Sequence, residues 1–156
     1  MNVENTDIIG IIPARFHSTR LEGKPLLLIE GKPMIQHVYE RAKNVLDQLI
    51  VATDDQRIAD CVASFGGEFV MTDPNHTTGT NRCLEAFNKW QENDSNNASI
   101  IINIQGDEPL LDPTHIDKLI ACFDDPSTTI STLGLNIKPG AILNEGQVYI
   151  VKDKND

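Results

Sequence analysis

Residues Ile8–Pro13 read IIGIIP, a run with no polar side chain alternating along it. A strand with one wet face alternates apolar and polar residues. An unbroken apolar run suits a strand buried on both faces, as in a parallel sheet covered by helices. Gln48–Thr53 (QLIVAT) and Ser99–Ile104 (SIIINI) share this pattern, and Glu68–Met71 is a candidate for another short strand. Helical stripes lie between these runs. From Pro33 to Leu46, residues Met34, Ile35, Val38, Tyr39, Ala42, Val45 and Leu46 fall at 3.6-residue spacing, with Pro33 suited to the first turn. Asp55 to Phe65 places Ile58, Ala59, Val62 and Ala63 on one side and is stopped by Gly66-Gly67. Thr80 to Gln91 carries Cys83, Leu84, Phe87 and Trp90. Asp112 to Phe123 opens on Asp-Pro, a cap followed by proline at the first helical position, and then buries Ile116, Leu119, Ile120 and Phe123. Alternating strands and helices predict an α/β domain with a mostly parallel sheet.

The polar stretch Gln91–Ala98 reads as a surface loop. Beyond Phe123 the alternation stops, and Thr128–Ile137 and Gln147–Lys152 read as strands with no helix between them. The last of these, Val148–Val151, is followed by a turn-like KDKND string. A hairpin thus begins without its return strand, which fits either an ordinary terminus or a longer parent chain.

Composition narrows the function classes. The 156 residues hold 13 Lys+Arg and 23 Asp+Glu, a formal net charge of −10. With a sequence pI near 4.7, a nucleic-acid-coating basic face is not expected. A single nucleotide needs only a few local cations. Cys61, Cys83 and Cys122 are scattered and form neither a disulfide framework nor a zinc motif. His17, His37, His76 and His115 have no metal-ligand spacing. No apolar run reaches the ~18 residues of a membrane span, and the polar start Met1–Asp7 does not resemble a signal peptide. The expectation is a soluble, cytoplasmic protein.

In open parallel sheets, ligands bind beyond the carboxyl ends of the strands. Ala14–Pro25 (ARFHSTRLEGKP) follows the first strand and concentrates Arg15, Arg20 and Lys24 with Ser18, Thr19 and Gly23. Loop amides with adjacent cations make a phosphate cradle. The spacing is not that of a Walker A motif, and a plain solvated loop is the alternative. Asp54-Asp55 follows the second strand, as a helix cap or as part of a site. Gln105–Pro109 (QGDEP) follows the third. Its Asp107 suits Mg²⁺, which binds one or two carboxylates plus substrate phosphates; the alternative is a surface turn closed by Pro109. His76–Arg82 (HTTGTNR) precedes a helix and could read a base edge or hold an anion, with Thr78 or Thr80 equally suited to capping.

Four segments, in order and at matching spacing, resemble the 3-deoxy-manno-octulosonate cytidylyltransferase (CMP-Kdo synthetase) family. They are Ile11–Pro25 (IIPARFHSTRLEGKP), Gly31–Arg41 (GKPMIQHVYER), Val51–Asp55 (VATDD), and Met71–Arg82 (MTDPNHTTGTNR) taken with Asn103–Pro109 (NIQGDEP). Val148–Asn155 (VYIVKDKN) is similar to a later strand and turn of that family. The resemblance runs from about Asp7 to the end and matches the family's first half. It implies a nucleotide-diphospho-sugar transferase fold, a Rossmann-like three-layer sandwich, with residues 1–156 as one nucleotide-binding domain truncated relative to the family.

The implied reaction is CTP + 3-deoxy-D-manno-octulosonate (Kdo) → CMP-Kdo + pyrophosphate, with Mg²⁺, in lipopolysaccharide biosynthesis. The resemblance assigns Arg15 and Lys24 to the triphosphate with Ser18 helping, and Asp107 to Mg²⁺. It assigns Thr78, Gly79 and the backbone at Ala14 to the cytosine or ribose, and Gln105 and Arg82 to the nucleotide–sugar junction. It also implies a homodimer, with much of that interface in the half not represented here.

Three positions depart from the family's pattern: Glu22 stands for Pro, Thr78 for Ser, and Asn81 for an acid beside Arg82. An inward Glu22 would weaken triphosphate binding, whereas a solvent-facing one would be harmless. Since the absent half supplies most of the sugar pocket and a second Mg²⁺-binding Asp, this chain alone is expected to turn over poorly. Other readings are a cytidylyltransferase for 8-amino-Kdo or another acid sugar, and a non-catalytic nucleotide-binding module. An interaction protein without a ligand would leave both the basic loop and QGDEP as coincidences.

Overall fold

The first apolar run forms strand β1 (Ile8–Ala14), and every residue in it except Pro13 is buried. It is the hub of a parallel sheet in a computed structural model that describes residues 7–17 and 21–134. Strand β4 (Gln48–Thr53) lies on one side of it, with Ile9 opposite Gln48 and Ala14 opposite Thr53. Strand β6 (Ile100–Asn103) lies on the other, with Ile8 opposite Ile100. Strand β5 (Glu68–Met71) adds outside β4, giving the order β5-β4-β1-β6.

The pleat separates two cores, because successive side chains point to opposite faces. Ile8 and Ile12 pack with helices α1 (Met34–Lys43), α2 (Gln56–Ser64) and α4 (Pro113–Ala121) through Ile35, Val38, Ile58, Val62 and Ile116. Ile9 and Ile11 face the other way, against Cys83 and Ala86 of helix α3 (Gly79–Gln91). Both faces of β1 are therefore dry, which is why its sequence does not alternate. A methyl group on Gly10 would lie 2.6 Å from Leu46 Cδ1 and 2.8 Å from Leu49 Cδ1, so these side chains would have to shift to admit one.

The helix bounds match the apolar stripes to within a few residues. Asp55, Thr78 and Asp112 cap α2, α3 and α4 by accepting backbone N–H groups from Arg57, Asn81 and Thr114. The N-terminal bound of α1 is a correction. Pro33 does not enter the helix. It ends β3 (Lys32–Pro33), which pairs antiparallel with β2 (Leu28–Ile29) in a small hairpin that sequence periodicity does not reveal. Glu30 (φ 50°) and Gly31 (φ 80°) form its two-residue turn, in the left-handed conformation that suits the twist of a tight hairpin.

The expected loop Gln91–Ala98 is found over residues 92–98, Gln91 still belonging to α3 and Ala98 being buried, and Asn96 ties it down by donating its side-chain amide to the Trp90 carbonyl at 2.8 Å. The strand expected at Thr128–Ile137 is not formed over residues 128–134. That stretch lacks the covered apolar faces that stabilise β1: Ile130 is 85 % exposed. The remainder of that stretch, the Gln147–Lys152 strand and the hairpin after it lie outside the described residues. No helix among the described residues is long and apolar enough to cross a membrane.

Candidate functional site

The carboxyl ends of β1 and β6 and the N-terminus of α3 converge on a cleft of about 550 Å³. Ala14, Arg15, Lys24, Thr78, Gly79, Arg82, Gln105 and Asp107 all line it. Residues picked from separate stretches of sequence thus share one wall-to-wall site. Ser18, also expected there, lies outside the described residues.

The loop after β1 is held by its own backbone. The Gly23 N–H donates to the Phe16 carbonyl at 2.9 Å, closing the loop at its base. Gly23 sits at φ 66°, and a methyl group there would meet the Phe16 ring at 3.0 Å, so this position needs glycine on both counts. A short turn over Lys24–Leu26 follows, with Pro25 buried, and this aims Lys24 into the cleft. The Phe16 ring is covered by the Arg57 guanidinium, 3.2 Å from its centroid, and Arg57 pairs with Asp55 at 2.6 Å. That pair holds the Asp55 carboxyl below its usual range. The contact between Phe16 and α2 leaves no periodic signal in sequence.

Glu22 points outward. Its side chain is 65 % exposed and meets His17 at 3.2 Å, so its charge does not enter the cleft. This is the harmless orientation of the first departure from the family's pattern.

Across the cleft, the segment after β6 passes close over the end of β1. A methyl group on Gly106 would lie 2.9 Å from the Pro13 carbonyl oxygen, so only glycine lets the chain through unshifted. Asp107 follows directly, and Lys24 reaches it from 83 residues away at 2.7 Å. The two side chains are 34 % and 51 % exposed. An ion pair that wet contributes about 0–1 kcal/mol. It holds a cation and a carboxylate face to face, yet costs little to open for an anion at Lys24 and a cation at Asp107.

Helix α3 supplies the third wall. Gly79 lies close against Pro13, where a methyl group would be 3.2 Å from the ring. The Thr78 hydroxyl accepts the Asn81 N–H at 3.2 Å, so Thr78 is the cap while also lining the cleft. The first-turn amides of a helix favour an anion or an electron-rich edge nearby.

Arg82 lines the cleft but is only 3 % exposed, and its guanidinium is committed to protein. It donates to the Thr72 hydroxyl at 2.5 Å and to Asp54 at 3.0 Å. Asn81 in place of an acid therefore does not leave Arg82 unpartnered. Asp54 is neither a cap nor a cleft residue; it is the counter-charge of Arg82, and Asp55 does the capping. Cys83 is buried, and desolvation pushes its thiol up to about 12, which disfavours the thiolate form.

His76 opens a segment already singled out in the sequence, but its partner Glu85 escapes sequence reading. His76 reaches the cleft and is bonded through Nε2 to Glu85. Burial pushes the Glu85 carboxyl up, but Lys89, the Asp73 N–H and His76 outweigh it and hold the group at about 2. The spacing of Glu85 and Lys89 was a usable signal for a helical ion pair; the link to His76 was not.

Among known proteins, the family profile described as cytidylyltransferase matches residues 9–156. The 3-deoxy-manno-octulosonate cytidylyltransferase of Parabacteroides distasonis is 47 % identical over 156 residues, covering 95 % of this chain and 59 % of that protein. The protein of the same name from Porphyromonas gingivalis is 51 % identical over 129 residues, covering 83 % and 49 %. A solved structure of CMP:2-keto-3-deoxy-manno-octonic acid synthetase complexed with CTP superposes with a TM-score of 0.70 at 46 % identity, covering 77 % of this chain and 48 % of that one. The chain thus spans roughly half to three-fifths of the length of these relatives. A parallel sheet with its cleft at the strand ends and a profile match along nearly the whole sequence lead to one conclusion: the chain belongs to the cytidylyltransferase family.

Proposed function

We propose that this chain forms the nucleotide-binding part of an enzyme that transfers CMP from CTP to Kdo, giving CMP-Kdo and pyrophosphate. The observation that carries this reading is the cleft itself, where Lys24 faces Asp107 at 2.7 Å beside the N-terminus of α3. The names of the relatives supply the nucleotide and the sugar.

In this reading Arg15 and Lys24 bind the triphosphate and draw negative charge away from the α-phosphorus. Thr78, Gly79 and the backbone at Ala14 hold the cytosine and ribose, and Gln105 lies at the junction with the sugar. The anomeric hydroxyl oxygen of Kdo attacks the α-phosphorus, the bond to the β-phosphate oxygen breaks, and the hydroxyl proton passes to solvent. The chain contributes alignment and charge, the two terms on which phosphoryl-type transfer depends. Arg82, with two guanidinium nitrogens bonded to Thr72 and Asp54, supports the wall and offers the junction at most its remaining edge.

The donor set fits Mg²⁺. Among the described residues no three His, Cys, Asp or Glu side chains gather into a cage, but Asp107 is a half-exposed carboxylate on the cleft wall. Mg²⁺ is commonly held by one or two carboxylates together with substrate phosphates. Asp107 would hold it here, where the ion supplies neutralisation of phosphate charge. The same reading carries a role in lipopolysaccharide synthesis and a cytoplasmic place of action.

The test is pyrophosphate release by the purified chain with CTP, Mg²⁺ and Kdo. Release that needs Kdo and fails with ATP supports the reading. CTP binding without release limits this chain to nucleotide binding, with transfer requiring residues beyond it. The absence of both binding and release overturns the reading. D107N should abolish the Mg²⁺-dependent part of CTP affinity and leave the melting temperature close to that of the parent.

A further inference from the structure

Residues 72–78 cross from β5 to α3 and bring His76, Thr77 and Thr78 to the cleft. An untethered loop of this length would lose its position to conformational entropy. One face of α3 prevents this. Arg82, Glu85 and Lys89 follow a three- then four-residue spacing and so stack along that face. Arg82 donates to the Thr72 hydroxyl at 2.5 Å. Lys89 donates to the Met71 carbonyl at 2.9 Å and pairs with Glu85 at 2.7 Å. Glu85 makes the central tie. One of its carboxylate oxygens, Oε2, accepts the Asp73 N–H at 2.9 Å and also bonds His76 Nε2.

Asp73 tightens the same turn by accepting the Asn75 backbone N–H at 2.7 Å. The loop is thereby fixed at 72, 73 and 76, and it ends on Thr78, which caps α3. Glu85 does not line the cleft. It is 23 % exposed and anchored by Lys89 from behind, so any effect on a ligand must pass through the loop.

We propose that Glu85 is a positioning residue that sets the 72–78 loop, and with it Thr78, against the base end of the bound nucleotide, and so governs selection of cytosine. This rests on the reading of the cleft as a CTP site. A carboxylate that gathers an amide hydrogen and an imidazole on one oxygen defines their relative placement. An amide carbonyl oxygen keeps the two acceptor sites but not the charge that strengthens both bonds, and a methyl group keeps neither.

The experiment is calorimetric titration of the purified chain with CTP and with UTP, using the parent, E85Q, E85A, T78A and the two double variants, with melting temperatures as the folding control. CTP affinity should fall in the order parent, E85Q, E85A, with E85A weaker by about tenfold. UTP affinity should fall less, so the CTP-to-UTP preference narrows. In the T78A background the same Glu85 substitutions should cost little more, because the residue through which they act is already truncated.

A folded E85Q that binds CTP as the parent does overturns the proposal. So does a loss of the same size with and without Thr78, or one equal for both nucleotides. If E85A does not fold, E85Q decides alone by the same criteria. If the parent itself shows no preference for CTP, the functional reading fails instead, which is a distinguishable result.

Discussion

Removing the Arg82 guanidinium should cost stability well out of proportion to its contact with the cleft. The Arg82 side chain is 3 % exposed and that of its partner Asp54 is 14 % exposed. Asp54 Oδ2 receives the Arg82 hydrogen bond at 3.0 Å, while Oδ1 is buried with no hydrogen-bond partner among the described residues. R82M keeps most of the side chain's length and apolar body but leaves a carboxylate with no countercharge in a nearly dry site. Breaking a buried ion pair from one side costs about 3–5 kcal/mol. The Thr72 hydroxyl also loses the Arg82 donor, a smaller effect of roughly 1 kcal/mol. Against a total stability of about 5–15 kcal/mol for a domain, the variant should be close to marginal.

Urea unfolding followed by far-UV circular dichroism measures this directly, in the parent, R82M, D54N and the double variant. The double variant should recover much of the loss, because no charge remains to be buried. R82M within about 1 kcal/mol of the parent would refute the reasoning. Asp54 would then be adequately hydrated, and the Arg82 guanidinium would be free to engage a ligand instead.

Other perturbations test other parts of the site. G106A places a methyl group 2.9 Å from the Pro13 carbonyl oxygen, so the segment must move. A cost of about 1–3 kcal/mol is expected, with weakened Mg²⁺-dependent CTP binding from the displaced Asp107; a melt and a titration unchanged from the parent would contradict the tight passage. Y39F removes a buried hydroxyl that donates to the Leu49 carbonyl and accepts the Glu68 N–H, both at 3.2 Å. It should destabilise by about 1–3 kcal/mol in denaturant melts, with no change in CTP affinity. Glu85 is depressed from 4.5 to about 2. Its contribution to stability is therefore fully present above 4.5 and lost as pH falls toward 2. The stability gap between parent and E85Q, measured from neutral pH downward, should hold until that window and close within it; a gap independent of pH would show that the Glu85 charge is not what anchors the loop.

Much of the site was legible because ligand positions in parallel α/β sheets follow from chain order. Once IIGIIP, QLIVAT and SIIINI are recognised as strands buried on both faces, the polar segments after them must gather at one edge. Arg15, Lys24 and Asp107 are found this way; Thr78 and Gly79 come from a segment marked as a helix start, and their roles and that of Gln105 come from the family resemblance. The hairpin β2–β3 was not legible. Its strands are two residues each, too short for periodicity, and Pro33 reads as a helix start as readily as a strand end. The expectation of a strand from Thr128 failed over residues 128–134 because alternation suggests a strand without showing what covers it.

By itself, the sequence determined the alternation of strands and helices along the chain, the caps at Asp55 and Asp112, and the identity of Arg15, Lys24 and Asp107 as residues of the strand-end edge. These are properties of neighbours along the chain: periodicity, turn chemistry and helix-start preference act over a few residues. Tertiary structure decided which charges meet. Lys24 pairs with Asp107 and Arg82 with Asp54 across separations of 83 and 28 residues. Tertiary structure also turned Glu22 outward and made Glu85 the anchor of the loop at the cleft. Those outcomes depend on strand register and on the close packing of helices against β1, which place distant side chains within ångströms of each other, and no local pattern in the chain encodes that distance.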